Sequence, residues 1–315
     1  MTVVQQVLFA VEATYLGNPY YVSGNALFNA VARRVDESAR RSLCVSHGVF
    51  VPGEWGDVPE THSRSSVSGK LGTSLPPVEA YEDLFVFRDA AQRWLKEERP
   101  RDAHNTLDVQ RHGGRLAFAS ECHFGRPPEV RNSKRTVQWF LQCYVHAEEP
   151  GVVPLAEDVL DGIRVGGARN YGFGELAVQD TQVVDLDELD YSGLTGSAAD
   201  EFVVELVTPY VLSSEYPGAD DQSIPWWWDA DGVRRREERL VEGADVYELA
   251  TVDHGQVVGY AGSDPVATAR NGVTRVGTHS RFGFGELRVR PAGQDRVAER
   301  AVNASRRDDG EVSDA

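Results

Sequence analysis

The sequence predicts an α+β fold divided into two domains, and three observations carry that expectation. At 315 residues the chain is long for one compact core and comfortable for two. Apolar runs of strand length recur along it, with one stretch of clear helical spacing near the N-terminus. A glycine-rich segment of thirteen residues occurs twice, 111 residues apart, each time ahead of a strand-like run.

Taken in order, residues 3–13 (VVQQVLFAVEA) read as an opening strand, followed by a turn at Gly17-Asn18-Pro19. Ser23-Gly24-Asn25 makes a helix cap. Over 26–41, Leu27, Ala30, Val31 and Val35 fall at helical spacing with arginines on the other face. A second strand spans 42–50. Residues 53–78, rich in Gly, Ser, Thr and Pro, read as a long loop. Strands follow at 114–124 and 136–146, a short helix at 154–163, and a strand at 175–184 after the first glycine segment. The acidic stretch 185–200, with Gly193 and Gly196, reads as a linker before a new strand from 201 (EFVVELVTPYVLS). The domains are therefore expected over 1–190 and 200–291, with 292–315, charged and poor in large apolar residues, as a disordered tail.

Hydrophobic residues make up 41%, enough to fill such cores. The net charge of -17 argues at first against a nucleic-acid partner. Lysine, however, occurs only at Lys70, Lys96 and Lys134, leaving 29 arginines among the 32 basic residues. A carboxylate-rich, lysine-poor surface suits a high-salt cytoplasm, so the acidity reads as a solvent adaptation that says little about the ligand. Cys44, Cys122 and Cys143 lack zinc-site or disulfide-framework spacing, and their odd number points to a reducing compartment. No segment approaches the roughly 20 apolar residues of a membrane span.

The first glycine segment, GGARNYGFGELAV, starts at Gly166; the second, GTHSRFGFGELRV, starts at Gly277. Both place Gly-Phe-Gly-Glu-Leu after the same interval, with an aromatic (Tyr171, Phe282) just before it. Glycines at Gly166, Gly167, Gly172 and Gly174, and at Gly277, Gly283 and Gly285, let the backbone approach a ligand without a Cβ in the way. Successive N–H groups in such a turn form an anion-binding concavity. Arg169 and Asn170 in one copy, and His279, Ser280 and Arg281 in the other, reach phosphate or a 2′-hydroxyl, while Tyr171 and Phe282 stack on bases. One isolated copy would be better explained as a bulge or tight hairpin; two matching copies favour a duplicated functional loop. A Rossmann or Walker loop leads into a helix, whereas both of these lead into strands.

A loop of the form G-x5-G-aromatic-G late in a βαβ-rich half resembles the signature of the RAMP superfamily of CRISPR RNA-binding proteins. Ser23 to Phe28 (SGNALF) resembles the loop and helix start after that family's first strand. Val45 to Pro52 (VSHGVFVP) resembles its Ser-x-x-Phe-Pro stretch, with Val51 interrupting Phe-Pro. Ser74-Leu75-Pro76-Pro77, Ala103 to Asp108 (AHNTLD) and Pro209 to Tyr216 (PYVLSSEY) resemble further landmarks. The resemblance implies one or two ferredoxin-like (RRM-like) domains with antiparallel sheets. With two glycine loops the chain looks most like the type III (Csm/Cmr) subunit of the Cas5-like group that binds the 5′ handle of guide RNA. The implied role is a non-catalytic, cytoplasmic subunit with guide RNA (crRNA) and other effector subunits as partners, and no cofactor, metal, small-molecule substrate or membrane.

Two other readings stay open. Some RAMP proteins cleave precursor guide RNA with a histidine after the first helix, and His47 lies in that region; it would act as general acid or base without a metal. A scaffold that binds only protein through its glycine loops is the other. His104 and His112 read as exposed structural histidines, and Asp220-Asp221 as a solvated acidic pair. In Trp226-Trp227-Trp228 at least one ring should cover the core while another meets a partner or a base. Arg234-Arg235-Arg236 is a candidate RNA or partner contact that Glu237 and Glu238 can instead neutralise.

Overall fold

A computed structural model describes residues 2–18, 21–52, 74–89, 91, 103–112, 115–124, 139–195, 201–229 and 232–293, with only the backbone course given at 52, 103–112 and 115–124. The 53–73 part of the expected long loop and the tail from 294 lie outside these residues. The first-half strands are β1 (Val3–Val11), β2 (Tyr15–Gly17), β3 (Tyr21–Val22), β4 (Leu43–Val45), β5 (Gly48–Pro52), β6 (Ala103–His112), β7 (Arg115–Phe124), β8 (Trp139–Ala147), β9 (Ile163–Arg164) and β10 (Glu175–Asp185). Seven of these form an antiparallel sheet ordered β3-β5-β8-β1-β10-β9, with β4 also paired to β8. Strands β2, β7 and β6 form a separate small sheet.

β1 lies at the centre, between β8 and β10. Its side chains alternate between two hydrophobic layers, Val7 and Phe9 on one face, Leu8 and Ala10 on the other. That double burial explains a near-continuous apolar run where a half-exposed strand would alternate.

The expected helix over 26–41 is two helices, α1 (Gly24–Val31) and α2 (Glu37–Ser42). The Ser23 hydroxyl accepts the Ala26 N–H at 3.2 Å and starts α1, whose Leu27, Phe28 and Val31 pack on the Val7 face. Asp36 is extended and accepts the Ala39 N–H at 2.8 Å, so it opens a new helix where the periodicity implied continuation. The expected strand at 42–50 is likewise split into β4 and β5. At the break the Ser46 hydroxyl accepts the Tyr144 N–H at 2.8 Å. The short helix expected at 154–163 is α3 (Glu157–Leu160).

The described part of the expected linker, 185–195, is packed. Leu186, Leu189, Tyr191 and Leu194 are buried, and it carries a helical turn, α4 (Ser192–Thr195). Its acidic residues alternate with apolar ones that reach a core, which is why its composition read as a linker. The strand expected from 201 is two, β11 (Phe202–Leu206) and β12 (Tyr210–Ser214), in different sheets. With them are β13 (Trp228–Asp229), β14 (Arg235–Glu242), β15 (Asp245–Val252), β16 (Val257–Tyr260), α5 (Pro265–Thr274) and β17 (Leu287–Pro291). One second-half sheet is ordered β13-β16-β11-β17, the other β12-β15-β14.

Within the larger sheet, the four strands β5-β8-β1-β10 lie in the same spatial order as β13-β16-β11-β17. The first crossover carries α1 in one half; no helix lies between β11 and β13 in the other. At the free edge of β14, both backbone polar groups of Val241 are met by α1: its N–H donates to Asn25 Oδ1 and its carbonyl accepts from Asn29 Nδ2, each at 3.3 Å.

The halves share their cores. Val211, Leu240, Leu249, Phe282 and Phe284 join the cluster around α1, while Val4, Tyr81 and Tyr144 join the cluster around β11, β17 and α5. A polar seam runs between them. Arg88 donates from Nε and Nη2 to the two carboxylate oxygens of Glu286, at 3.2 and 3.1 Å, and from Nη2 to Ser46 Oγ at 3.1 Å. Both partners of this pair are almost wholly buried, at 3% and 2% exposure. Arg288 meets Asp89 beside it, and Arg275 Nη2 donates to His146 Nδ1 at 2.7 Å. His47, 3% exposed, accepts the Gly24 N–H. Burial, reinforced by Arg88 and Arg275, holds His47 neutral with its pKa lowered to about 3; burial and Arg275 do the same for His146.

Two outcomes follow from this seam. Glu286→Gln should destabilise the fold by about 3–5 kcal/mol in denaturant unfolding, because it strands a buried guanidinium. The matching change in the first repeat, Glu175→Gln, breaks an exposed pair with Arg164 and should alter stability by about 1 kcal/mol or less. Because the folded-state pKa of His47 is depressed, its contribution is complete above pH 6.5 and is lost as pH falls toward 3. Between pH 6.5 and 5, the slope of stability on pH should be smaller in His47→Asn than in the parent, by up to about 1.4 kcal/mol per pH unit.

Candidate nucleic-acid interface

The two glycine segments fold alike. Each enters through a glycine at positive φ (Gly166 +82°, Gly277 +85°) and a left-handed non-glycine residue (Ala168, His279). Each then makes a single 3-10 turn, Arg169–Tyr171 or Ser280–Phe282, closed by a glycine at +92°. They are anchored by equivalent hydrogen bonds. The Gly174 N–H donates to the Thr14 carbonyl and the Gly285 N–H to that of Pro209, both at 2.9 Å. The Gly174 carbonyl accepts from Val165 and the Gly285 carbonyl from Val276, both at 3.0 Å. A Cβ at either glycine would lie 1.9 Å from the facing carbonyl oxygen of Val165 or Val276, so these two positions admit no side chain.

The surroundings of the two copies differ. In the first, Tyr171 is 80% exposed and the space a Cβ would occupy at Gly172 is open. Gly166, Gly167, Arg169 and Asn170 line an open cavity of about 720 Å³ together with Arg33, Arg34 and Arg164. Among the described residues, no acidic one lines it. Arg34 is held by the carbonyls of Asp161 and Gly162, and Arg164 by Glu175, while neither Arg33 nor Arg169 has an acidic partner among the described residues. The guanidinium groups of four arginines therefore converge on this concavity.

In the second copy Phe282 is 4% exposed and packs edge-on against Phe28 at 5.1 Å. The His47 ring fills the space beside Gly283 that lies open at Gly172, and Phe284 packs against the same ring. His279 Nε2 lies 2.8 Å from Ser214 Oγ, and burial lowers the pKa of this imidazole. The Arg281 guanidinium lies 4.8 Å from the Phe28 ring and donates to the Arg40 carbonyl at 2.8 Å. The rim of this loop, Thr278 to Phe282, lines a smaller cavity of about 300 Å³ with Arg41, Glu148 and Tyr216. The predicted residues thus fall into two clusters, one open and one mostly enclosed.

Sequence reasoning missed Arg33, Arg34, Arg41 and Arg164. One signal was available: the repeat begins two residues earlier, with Arg-Val-Gly at 164–166 and again at 275–277. Of the other candidates, Trp228 is buried, Trp226 is 78% exposed, and Arg236 pairs with Glu238 and Asp253. The side chains of His104 and His112 lie outside the described residues. Among the described residues no group of three or more His, Cys, Asp or Glu side chains is placed to hold a metal ion, and no helix is long and apolar enough to cross a membrane.

No protein-family model matches the chain, and no curated protein matches it. Several solved structures resemble it weakly. A type III-B Cmr-beta structure bound to cognate target RNA shares 10% identity over 81% of this chain and 86% of that one, with a TM-score of 0.34. A CRISPR associated protein Cas6 shares 9% over 91% and 98%, with a TM-score of 0.38. The Csm3-Csm4 subcomplex of the type III-A CRISPR-Cas interference complex shares 11% over 93% and 100%, also at 0.38. Likeness of that degree sets neither the fold nor the function of this chain.

Proposed function

We propose that the chain is a RAMP-type, non-catalytic CRISPR effector subunit that holds guide RNA, at its 5′ handle, on the open glycine loop 166–174. One observation carries this: a loop duplicated down to the hydrogen bonds that close it, one copy of which opens into a cavity lined by arginines in a chain of net charge -17. Acidic protein surface repels a polyanion, so a concavity with four arginines, of which only Arg164 is paired with a carboxylate among the described residues, favours phosphate where the rest does not. Tyr171 beside it offers a ring for base stacking. The repeated strand order supports two ferredoxin-like units, 1–190 and 200–291, each with its glycine loop just before its last long strand. Other effector subunits are the proposed protein partners and a high-salt cytoplasm the proposed setting. The burial and neutrality of His47 favour holding RNA over cutting it, since a general acid or base must reach the RNA.

One observation favours a second reading. The 277–285 loop is used mainly as a contact between the halves, and a scaffold subunit would use 166–174 in the same way against a neighbour. Fluorescence anisotropy with repeat-derived guide RNA separates the two. The parent should bind, and Tyr171→Ser should weaken binding by roughly 5- to 100-fold, the loss of one stacked base, with an unchanged melting midpoint. Arg169→Gln should weaken it as well. RNA binding that is untouched by both changes would remove the loop from the interface, and a parent that binds subunits but no RNA would leave the scaffold reading.

A further inference from the structure

The two cavities are fastened to one short stretch of chain. Arg34 clamps the carbonyls of Asp161 and Gly162, just ahead of the first glycine loop. Six residues later the Arg40 carbonyl accepts the Arg281 guanidinium of the second loop. Arg33 and Arg34 line the first cavity and Arg41 the second. This turn and α2 therefore act as a ruler between the loops. Three residues of at most ~3.6 Å each and four helical residues of ~1.5 Å hold the Cα atoms of Arg34 and Arg41 within about 17 Å.

The charge along the ruler is uneven. Asp36 is occupied as a helix cap and Glu37 pairs with Arg41 at the surface. Arg33, Arg40 and Arg281 have no acidic partner among the described residues. The Nε of Arg281, at the second cavity, is buried without a hydrogen-bond acceptor.

We propose that residues 33–41 form a phosphate track between the two cavities, so that the ligand is one continuous single strand of RNA lying across both, and not a nucleotide held at the first loop alone. The proposal rests on the RNA-binding reading of the first loop and adds the path and minimum length of the ligand. At ~3.4 Å per stacked nucleotide, about five nucleotides bridge the interval. On this arrangement the second loop contributes its rim, Ser280 and Arg281, while its aromatic and its closing glycine remain in the core.

The test measures affinity for fluorescein-labelled diuridylate and octauridylate across a salt series with the full chain. For octauridylate, Arg33→Gln and Arg41→Gln should each reduce the slope of log K on log salt by about 0.7, the release expected for one phosphate contact on a single strand. For diuridylate only Arg33→Gln should do so. Arg41 is exposed, and melting midpoints near the parent's would confirm that both variants fold. If Arg33→Gln weakens octauridylate binding while Arg41→Gln matches the parent in affinity and slope, the track is wrong and the first loop binds alone. If the parent binds neither oligomer, the RNA-binding reading itself fails and the track falls with it.

Discussion

Both glycine loops depend on one steric constraint, the approach of a carbonyl oxygen to Gly174 and to Gly285 that leaves no space for a Cβ. This approach lets the chain fold back so that Gly174 closes on Val165 and Gly285 on Val276, and so fixes where each turn stands relative to its strand. In the first copy the same closure brings Arg164 and Glu175 opposite each other on β9 and β10. In the second it sets Glu286 beneath Thr208, whose hydroxyl accepts the Glu286 N–H at 2.8 Å. The seam, the cavities and the orientation of the last strand in each half are downstream of two missing methyl groups.

Given closely similar backbones from the entry glycine to the closing one, the two copies diverge through what lies against them. Glu175 and Glu286 occupy equivalent places, but one faces solvent and pairs with Arg164, while the other is buried and takes a bidentate guanidinium from Arg88. The Arg164 counterpart, Arg275, turns instead to His146 and the Ser280 carbonyl. Duplication here supplies one piece of geometry with two uses: an open turn at the surface and a closed one that joins the halves. A buried charge left without its partner is expensive, so the second copy is the less tolerant of the two.

Much of the first half and the existence of both loops were legible, because strand hydrophobicity and residue-for-residue repetition are local signals. β1, β8 and β10 fall close to where their apolar runs place them. The break within 26–41 was not legible, since it depends on the Asp36 side chain competing with the preceding helix, which periodicity does not register. The packing of 185–195 was hidden in the same way, Leu186, Leu189 and Tyr191 being interleaved with acids. The arginine cavity draws Arg33 and Arg34, Arg164 and Arg169 from separate elements, so no window of sequence contains it. Nor does the sequence distinguish Tyr171 from Phe282; only the tertiary contact with Phe28 and His47 makes one a surface ring and the other a core ring.

The two asparagines of α1 that meet Val241 have a consequence for self-association. A strand at the border of a sheet offers its backbone to any passing chain, and many proteins discourage this with lysines placed along the border. That defence relies on repulsion, which fades as ions accumulate around it. Asn25 and Asn29 instead occupy the amide and carbonyl of Val241 directly, standing in for one residue of the strand that would otherwise add there. A neutral plug of this kind does not depend on repulsion, and it closes the border at Val241, the one part of β14 where apolar Leu240 and Val241 interrupt a strand otherwise made of arginines and glutamates.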